Sequence, residues 1–484
     1  MTVPAIPSWV QDAVFYQIFP DRFAKSTRVP KSPSLEPWGD PPTPLGFKGG
    51  DLLGIAERLD YLTDLGINAI YLNPIFQSAA NHRYHTYDYY QVDPLLGGNR
   101  AFGELLQACH ARGMRVILDG VFNHAGRGFF AFHHILENGP LSPYRDWFHI
   151  QGYPLRAYDS SPRRPLNYTS WWGLPELPKF NTATPAVRDY LLAVAEHWVR
   201  EGIDGWRLDV PTEIDDGWFW RALRRRVKAV NPEAYLVGEI WDEAREWLRG
   251  DRFDALMNYP FSRSCLGFFG GPRLDTSARP GGYRLRTLSA RAFAERVHTM
   301  LAWYPWNVTL AQLNLLGSHD TPRTLTLLGG IKDRLKLAMF YMMTSPGAPC
   351  LYYGDEIGLA GGPDPACRAA MPWDRSRWDS NLHDHVRRLI ATRHRHTALR
   401  RGTYATLYAA RGVYAFARSH KAEQLIVVIN ANEHAVEVRV PAPPSVRNGT
   451  SLRPLLGEHP GTVASGRTSP LPLAALSGGV WQAL

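Results

Sequence analysis

The strongest constraint on this chain is a repeated alternation. Short apolar runs, fit to be buried on both faces, recur between longer segments whose apolar residues fall three and four apart. The strand-like runs are "AVFYQIFP" (13–20), "NAIYLNP" (68–74), "RVILDGVFNH" (115–124), "GWRLDV" (205–210), "AYLVGEIW" (234–241), "FDALMN" (253–258), "AQLNLLGSHD" (311–320) and "APCLYYGDE" (348–356). Segments such as 51–66 and 101–113 read as helices closed by Gly, and 185–202 as one opened by Pro. Eight strands in one chain, each followed by a helix, predict an α/β fold, the closed parallel (β/α)8 or TIM barrel.

Two stretches depart from the plain barrel. Residues 123–181 are too long for a βα connection and rich in Pro, Trp and Tyr, which predicts a small inserted subdomain. After about residue 400 the helical period stops, and "VYAFARS", "QLIVVINA" and "AVEVRVPA" alternate like antiparallel strands. The expected division is a barrel over 1–122 and 182–398, an inserted subdomain over 123–181 and a C-terminal all-β sandwich over 399–484. At 484 residues the chain has length for all three.

Several classes are disfavoured. The net charge of +9 would suit nucleic acid, but the basic residues are scattered. The densest run, "RALRRRVK" (221–228), reads as the solvated face of a helix, so no nucleic-acid partner is expected. The N-terminus has neither a basic leader nor a long apolar stretch, so we expect no membrane association and a cytoplasmic location. The four cysteines lack metal-ligand spacing and are too few for a disulfide scaffold; Cys109 and Cys350 read as buried thiols.

Active sites of such barrels lie at the C-terminal ends of the strands. There the sequence places Tyr84 and Asp88 after strand two, and Asp119, Asn123 and His124 at strand three. Arg207 and Asp209 stand at strand four, Glu239 at strand five, His319 and Asp320 at strand seven, and Asp355 and Glu356 after strand eight. Arg207 and Asp209, two apart on one strand, share a face. A guanidinium beside a carboxylate is either a structural ion pair or a device that keeps a nucleophile ionised. One such site is usually structural; a run of them at one end of a barrel points to catalysis.

"DGVFNH", "GWRLDV", "GEIW" and "LLGSHD", in this order, resemble the four sequence regions of the α-amylase family of glycoside hydrolases, and "LPKFN" (177–181) its additional region. "FDALMNYPF" and "MPWD" (371–374) resemble the cyclomaltodextrinase, neopullulanase and maltogenic amylase branch. The resemblance implies a retaining hydrolase of α-1,4 glucosidic bonds in maltodextrins, cyclodextrins or pullulan-like glucans, with action on α-1,6 bonds left open. It implies Asp209 as nucleophile, Glu239 as general acid and base, and Asp320 as the third carboxylate. Arg207 would hold Asp209 ionised, His124 and His319 would bind sugar hydroxyls, and Tyr84 would stack on the sugar. Glu213 and Trp241 are candidates for outer subsites or for packing, and Asp119 and Asn123 for architecture. His85 stands where close relatives usually have Asp.

Relatives of this branch often bind calcium in an Asn/Asp-rich loop after the first strand. Here that loop is "AKSTRVPKSPS" (24–34), basic and without a carboxylate, so no metal and no cofactor are expected. The pairing domain that precedes the barrel in these relatives has no counterpart in this sequence, which leads us to expect a monomer. A glucanotransferase or trehalose-forming isomerase would use the same intermediate and stays open at this point; a non-catalytic homologue is disfavoured by the intact carboxylates.

Overall fold

The structure is a computed structural model and describes residues 5–484. Eight parallel strands form its centre: β1 (Phe15–Ile18), β2 (Ala69–Leu72), β3 (Arg115–Gly120), β4 (Gly205–Leu208), β5 (Tyr235–Gly238), β6 (Ala255–Leu256), β7 (Leu313–Leu315) and β8 (Ala348–Tyr352). Each pairs with its sequence neighbours, and β8 returns to β1. A parallel bridge from Met257 to Leu313 joins β6 to β7 and closes the barrel. Phe15, Ala69, Tyr71, Ile117, Val237 and Leu313 belong to an inner core cluster, while Tyr16, Ile70, Val116 and Leu236 pack outward against the helices. This alternation is why the strands read as unbroken apolar runs. Gly205 is required by spacing: a Cβ there would stand 2.1 Å from the Tyr235 carbonyl oxygen.

The expected helix after every strand is not fully met. Between β5 and β6 the chain makes only a 3₁₀ turn, Arg245–Leu248. After β6 it makes a helix the periodicity does not reveal, Tyr259–Gly270, capped by Asn258, before the expected one at Ala290–Leu301. Tyr259–Gly270 is buried along almost all its length, so it carries no polar stripe to mark it.

Within residues 123–181 a helix, Phe130–Asn138, lies among isolated bridges. The bridge from His124 to Lys179 brings the two ends of this stretch together over β3. The C-terminal residues form a seven-stranded antiparallel sheet and a two-stranded one. One face of the larger sheet supplies Tyr414, Phe416, Leu425, Val427 and Ile429 to the barrel's outer core. The opposite face, with Val413, Ile426, Val428 and Trp481, makes a core of its own with Leu471 of the two-stranded sheet. Where the units meet, two buried arginines cap the end of the barrel helix Lys332–Thr344: Arg393 donates to the carbonyls of Met343 and Ser345, and Arg418 to that of Thr344. Among the described residues no helix is long and apolar enough to cross a membrane.

Candidate active site

The ends of β3, β4 and β5 converge on one guanidinium. Arg207 is fully buried. Its Nη1 donates to Asp119 Oδ1 and to Asp209 Oδ1, each at 2.8 Å, and its Nη2 lies 3.0 Å from Glu239 Oε2. Its Nε reaches the Met257 sulfur at 3.3 Å. Three carboxyls therefore face a single positive charge, at the distances where opposite charges favour ionisation and like charges oppose it. Burial, the largest influence, pushes Asp119, Asp209 and Glu239 all upward. Arg207 opposes this at each of them, and the charge of Asp320 adds to the rise at Glu239.

Asp119 is saturated. Besides Arg207 it accepts the hydroxyls of Tyr71 at 2.6 Å and Tyr84 at 2.8 Å. Tyr84 is in turn 2.7 Å from Nε2 of His319. Gln17 donates to His319 Nδ1 at 2.9 Å, and an amide nitrogen has nothing to accept with. The neutral ring must therefore carry its proton on Nε2, facing Tyr84 and, at 3.2 Å, Asp320 Oδ2. Burial keeps His319 well below the ordinary histidine range, with Arg368 and Arg207 adding to the effect, so the neutral form persists. Asp320 also takes Arg368 Nη2 at 3.2 Å and is a third exposed, the most open carboxylate of the group. Asp320, His319, Tyr84, Asp119, Arg207, Asp209 and Glu239 thus form one continuous polar network.

Glu239 is held at both oxygens. Oε2 accepts the Val210 amide at 3.1 Å, and Oε1 the Trp241 indole N–H at 3.2 Å. Val210, next to Asp209, has φ 33°, a strained conformation for a β-branched residue. Trp241 is clamped: Tyr259 stacks on it at 3.5 Å between centroids, and Tyr283 lies parallel at 6.3 Å. Tyr259 thus covers one face of the indole, and its N–H is what meets Glu239. Glu213 stands apart on the rim, about half exposed, near Lys179 at 3.8 Å.

His124 is buried, stacked on Trp171, and pushed down to about 3 by burial. Its Nε2 has no partner, nor does Asn123 Oδ1 beside it. A buried polar atom left open costs free energy unless a ligand or water meets it. Asp355 and Glu356 turn away into ion-pair and tyrosine contacts of their own, with Arg323 and with Tyr16 and Tyr61. Arg368, Tyr283 and Gln17 were missed by the sequence reading. The first two come from loops remote in sequence; Gln17, a lone amide within "FYQIF", was the one legible hint.

Two family models match this chain. Residues 17–400 match the alpha amylase catalytic domain, and residues 404–482 the neopullulanase-like C-terminal domain. The chain belongs to the α-amylase family of glycoside hydrolases. It is 46% identical over 457 residues to a cyclomaltodextrinase of Geobacillus thermopakistaniensis (strain MAS1), a match that covers 94% of this chain and 74% of that one. Its structure resembles that of Ttha1563 from Thermus thermophilus, with 51% identity, a TM-score of 0.94 and coverage of 99% and 100% of the two chains. It also resembles the debranching enzyme of Nostoc punctiforme, at 46% identity, TM-score 0.90 and coverage of 99% and 100%.

Proposed function

We propose that this family member is a retaining hydrolase of α-glucans, acting on maltodextrins and cyclodextrins at α-1,4 and, in branched substrates, α-1,6 bonds. The observation that carries the reading is the shared guanidinium. Asp209 accepts a charge-assisted hydrogen bond from Arg207 Nη1, while Glu239 lies 3.0 Å from Nη2 of the same guanidinium, accepts hydrogen bonds from a backbone amide and an indole, and is pushed further upward by the charge of Asp320. In this reading the proton that the crowded carboxyls share is assigned to Glu239, the acid of the reaction, and Asp209 is the ionised partner.

In the first step an Asp209 oxygen attacks the anomeric carbon while Glu239 gives its proton to the departing glycosidic oxygen. In the second, Glu239 takes a proton from water, whose oxygen attacks the same carbon and releases Asp209. Asp320, His319 and His124 supply hydroxyl contacts, Tyr84 the ring beside the reacting sugar, and Arg207 the charge that keeps Asp209 ionised. Asp119 holds Arg207 and Tyr84 in place. Trp241 positions Glu239 through its N–H, and Glu213 lies where outer units pass.

Proton NMR of the first product released from maltoheptaose tests this. The α-anomer is expected; the β-anomer would mean inversion and would refute the covalent route.

The loop after β1 favours independence from calcium. The buried Lys48 ammonium donates to the carbonyls of Pro37 and Asp40 at 2.7 and 2.9 Å and lies 3.2 Å from Glu36 Oε2, an oxygen cage of the kind a metal ion would need. Lys31 engages Asp51 in the same region. These residues do not fit a bound cation. The enzyme is proposed to be a monomer, to be checked by light scattering. Four free, buried thiols suit a reducing cytoplasm.

A further inference from the structure

Trp172 carries two costs. Its backbone lies in the left-handed region, at φ 53° and ψ 20°, where a bulky side chain is strained. Its ring is 80% exposed. A single exposed aromatic needs no explanation, but a strained one does.

Its orientation supplies the explanation. Trp172 stacks on Trp171 at 4.4 Å and 10°, and Trp171 stacks on His124 at 5.4 Å and 19°. Three nearly parallel rings thus run from the end of β3 out to solvent. Both faces of Trp171 are covered, so the outer face of Trp172 is the free one. The polar atoms beside the stack are unusual too: Asn123 Oδ1, His124 Nε2, Ser170 Oγ and Trp171 Nε1 are buried and without partners. Tyr168, another ring of the same stretch, is buried, with its hydroxyl on the Pro175 carbonyl.

We propose that Trp172 is an outer sugar-binding platform, holding an α-glucan chain that extends beyond the units at the Asp209–Glu239 centre. The apolar face of a pyranose ring lies on the indole, and hydroxyls of units nearer the centre meet the open atoms along the stack. This rests on the hydrolase reading and narrows it: the ligand is a maltodextrin long enough to reach from the buried carboxylates to the rim.

The test uses full-length protein carrying Glu239→Gln, so that binding is read without turnover. Titration calorimetry compares maltoheptaose with maltotriose. Trp172→Ala is expected to weaken maltoheptaose on the order of tenfold, the scale of one lost stacking contact, and to leave maltotriose within about twofold. Trp172→Phe should retain most of the difference. Trp172→Gly, which relaxes the left-handed backbone, should melt no lower than the unsubstituted protein. Equal affinities across these variants, equal loss on both sugars, or a fall of several degrees for Trp172→Gly would each overturn the platform while leaving the hydrolase reading intact. Failure of either sugar to bind when Trp172 is present would overturn both.

Discussion

Trp241→Phe isolates one hydrogen bond at the proposed acid. Phenylalanine can still stack on Tyr259, so that packing survives, but the N–H that reaches Glu239 Oε1 at 3.2 Å is lost. That donor favours the ionised carboxylate, so its loss raises the Glu239 pKa further above the ordinary carboxyl range, in the direction burial already pushes it. A hydrogen bond of about 0.5–1.5 kcal/mol, at about 1.4 kcal/mol per pKa unit, corresponds to a rise of about 0.5–1 unit. Glycosylation needs Glu239 protonated, so the basic limb of the kcat/KM profile moves to higher pH by that amount. A carboxyl freed at one oxygen is also less well aimed, which should lower kcat/KM on maltoheptaose about tenfold at the optimum. An aryl glycoside with an activated leaving group needs less protonation and should lose less. The assay is kcat/KM from about pH 4 to 9 on both substrates, with the thermal midpoint as a check on packing. A tenfold loss with an unmoved basic limb would mean that Trp241 only packs; a limb displaced to lower pH would refute the reasoning outright.

Asp209→Asn should lower turnover on the order of 10⁴-fold or more with the thermal midpoint preserved, because the covalent route has no substitute; activity within tenfold would remove Asp209 from its role. Glu239→Gln should impair poor leaving groups far more than activated aryl glycosides, and equal loss on both would argue against Glu239 as the acid. EDTA should leave the thermal midpoint unchanged, whereas Lys48→Met should destabilise by about 2–4 kcal/mol, since the carbonyls it serves are left unpaired; calorimetry with and without chelator reads both.

The residues that were legible in sequence share a simple geometry. Arg207, Asp209, Glu239 and His319 lie within or just after short strands, so the barrel's strand ends fix their meeting place before any contact is known. What was not legible depends on packing between distant segments. Trp241 reads equally as a platform or as core until Tyr283, from a loop more than forty residues on, is seen along its face. The helix Tyr259–Gly270 was hidden because burial all round removes the periodic signal. Lys48, which nothing in the sequence singles out, becomes meaningful once Pro37 and Asp40 turn their carbonyls onto it.

The seam between barrel and C-terminal sheet bears on how the enzyme comes apart. The last carbonyls of a barrel helix are served by Arg393 from the neighbouring helix and by Arg418 from the sheet, and the sheet's inner face completes the apolar layer around the barrel. Removing the sheet would strip that layer and leave part of the helix end without its donor. The two units are therefore expected to unfold as one cooperative body, in a single calorimetric transition. Shuffling C-terminal domains among relatives would have to transplant the arginine and the apolar face together.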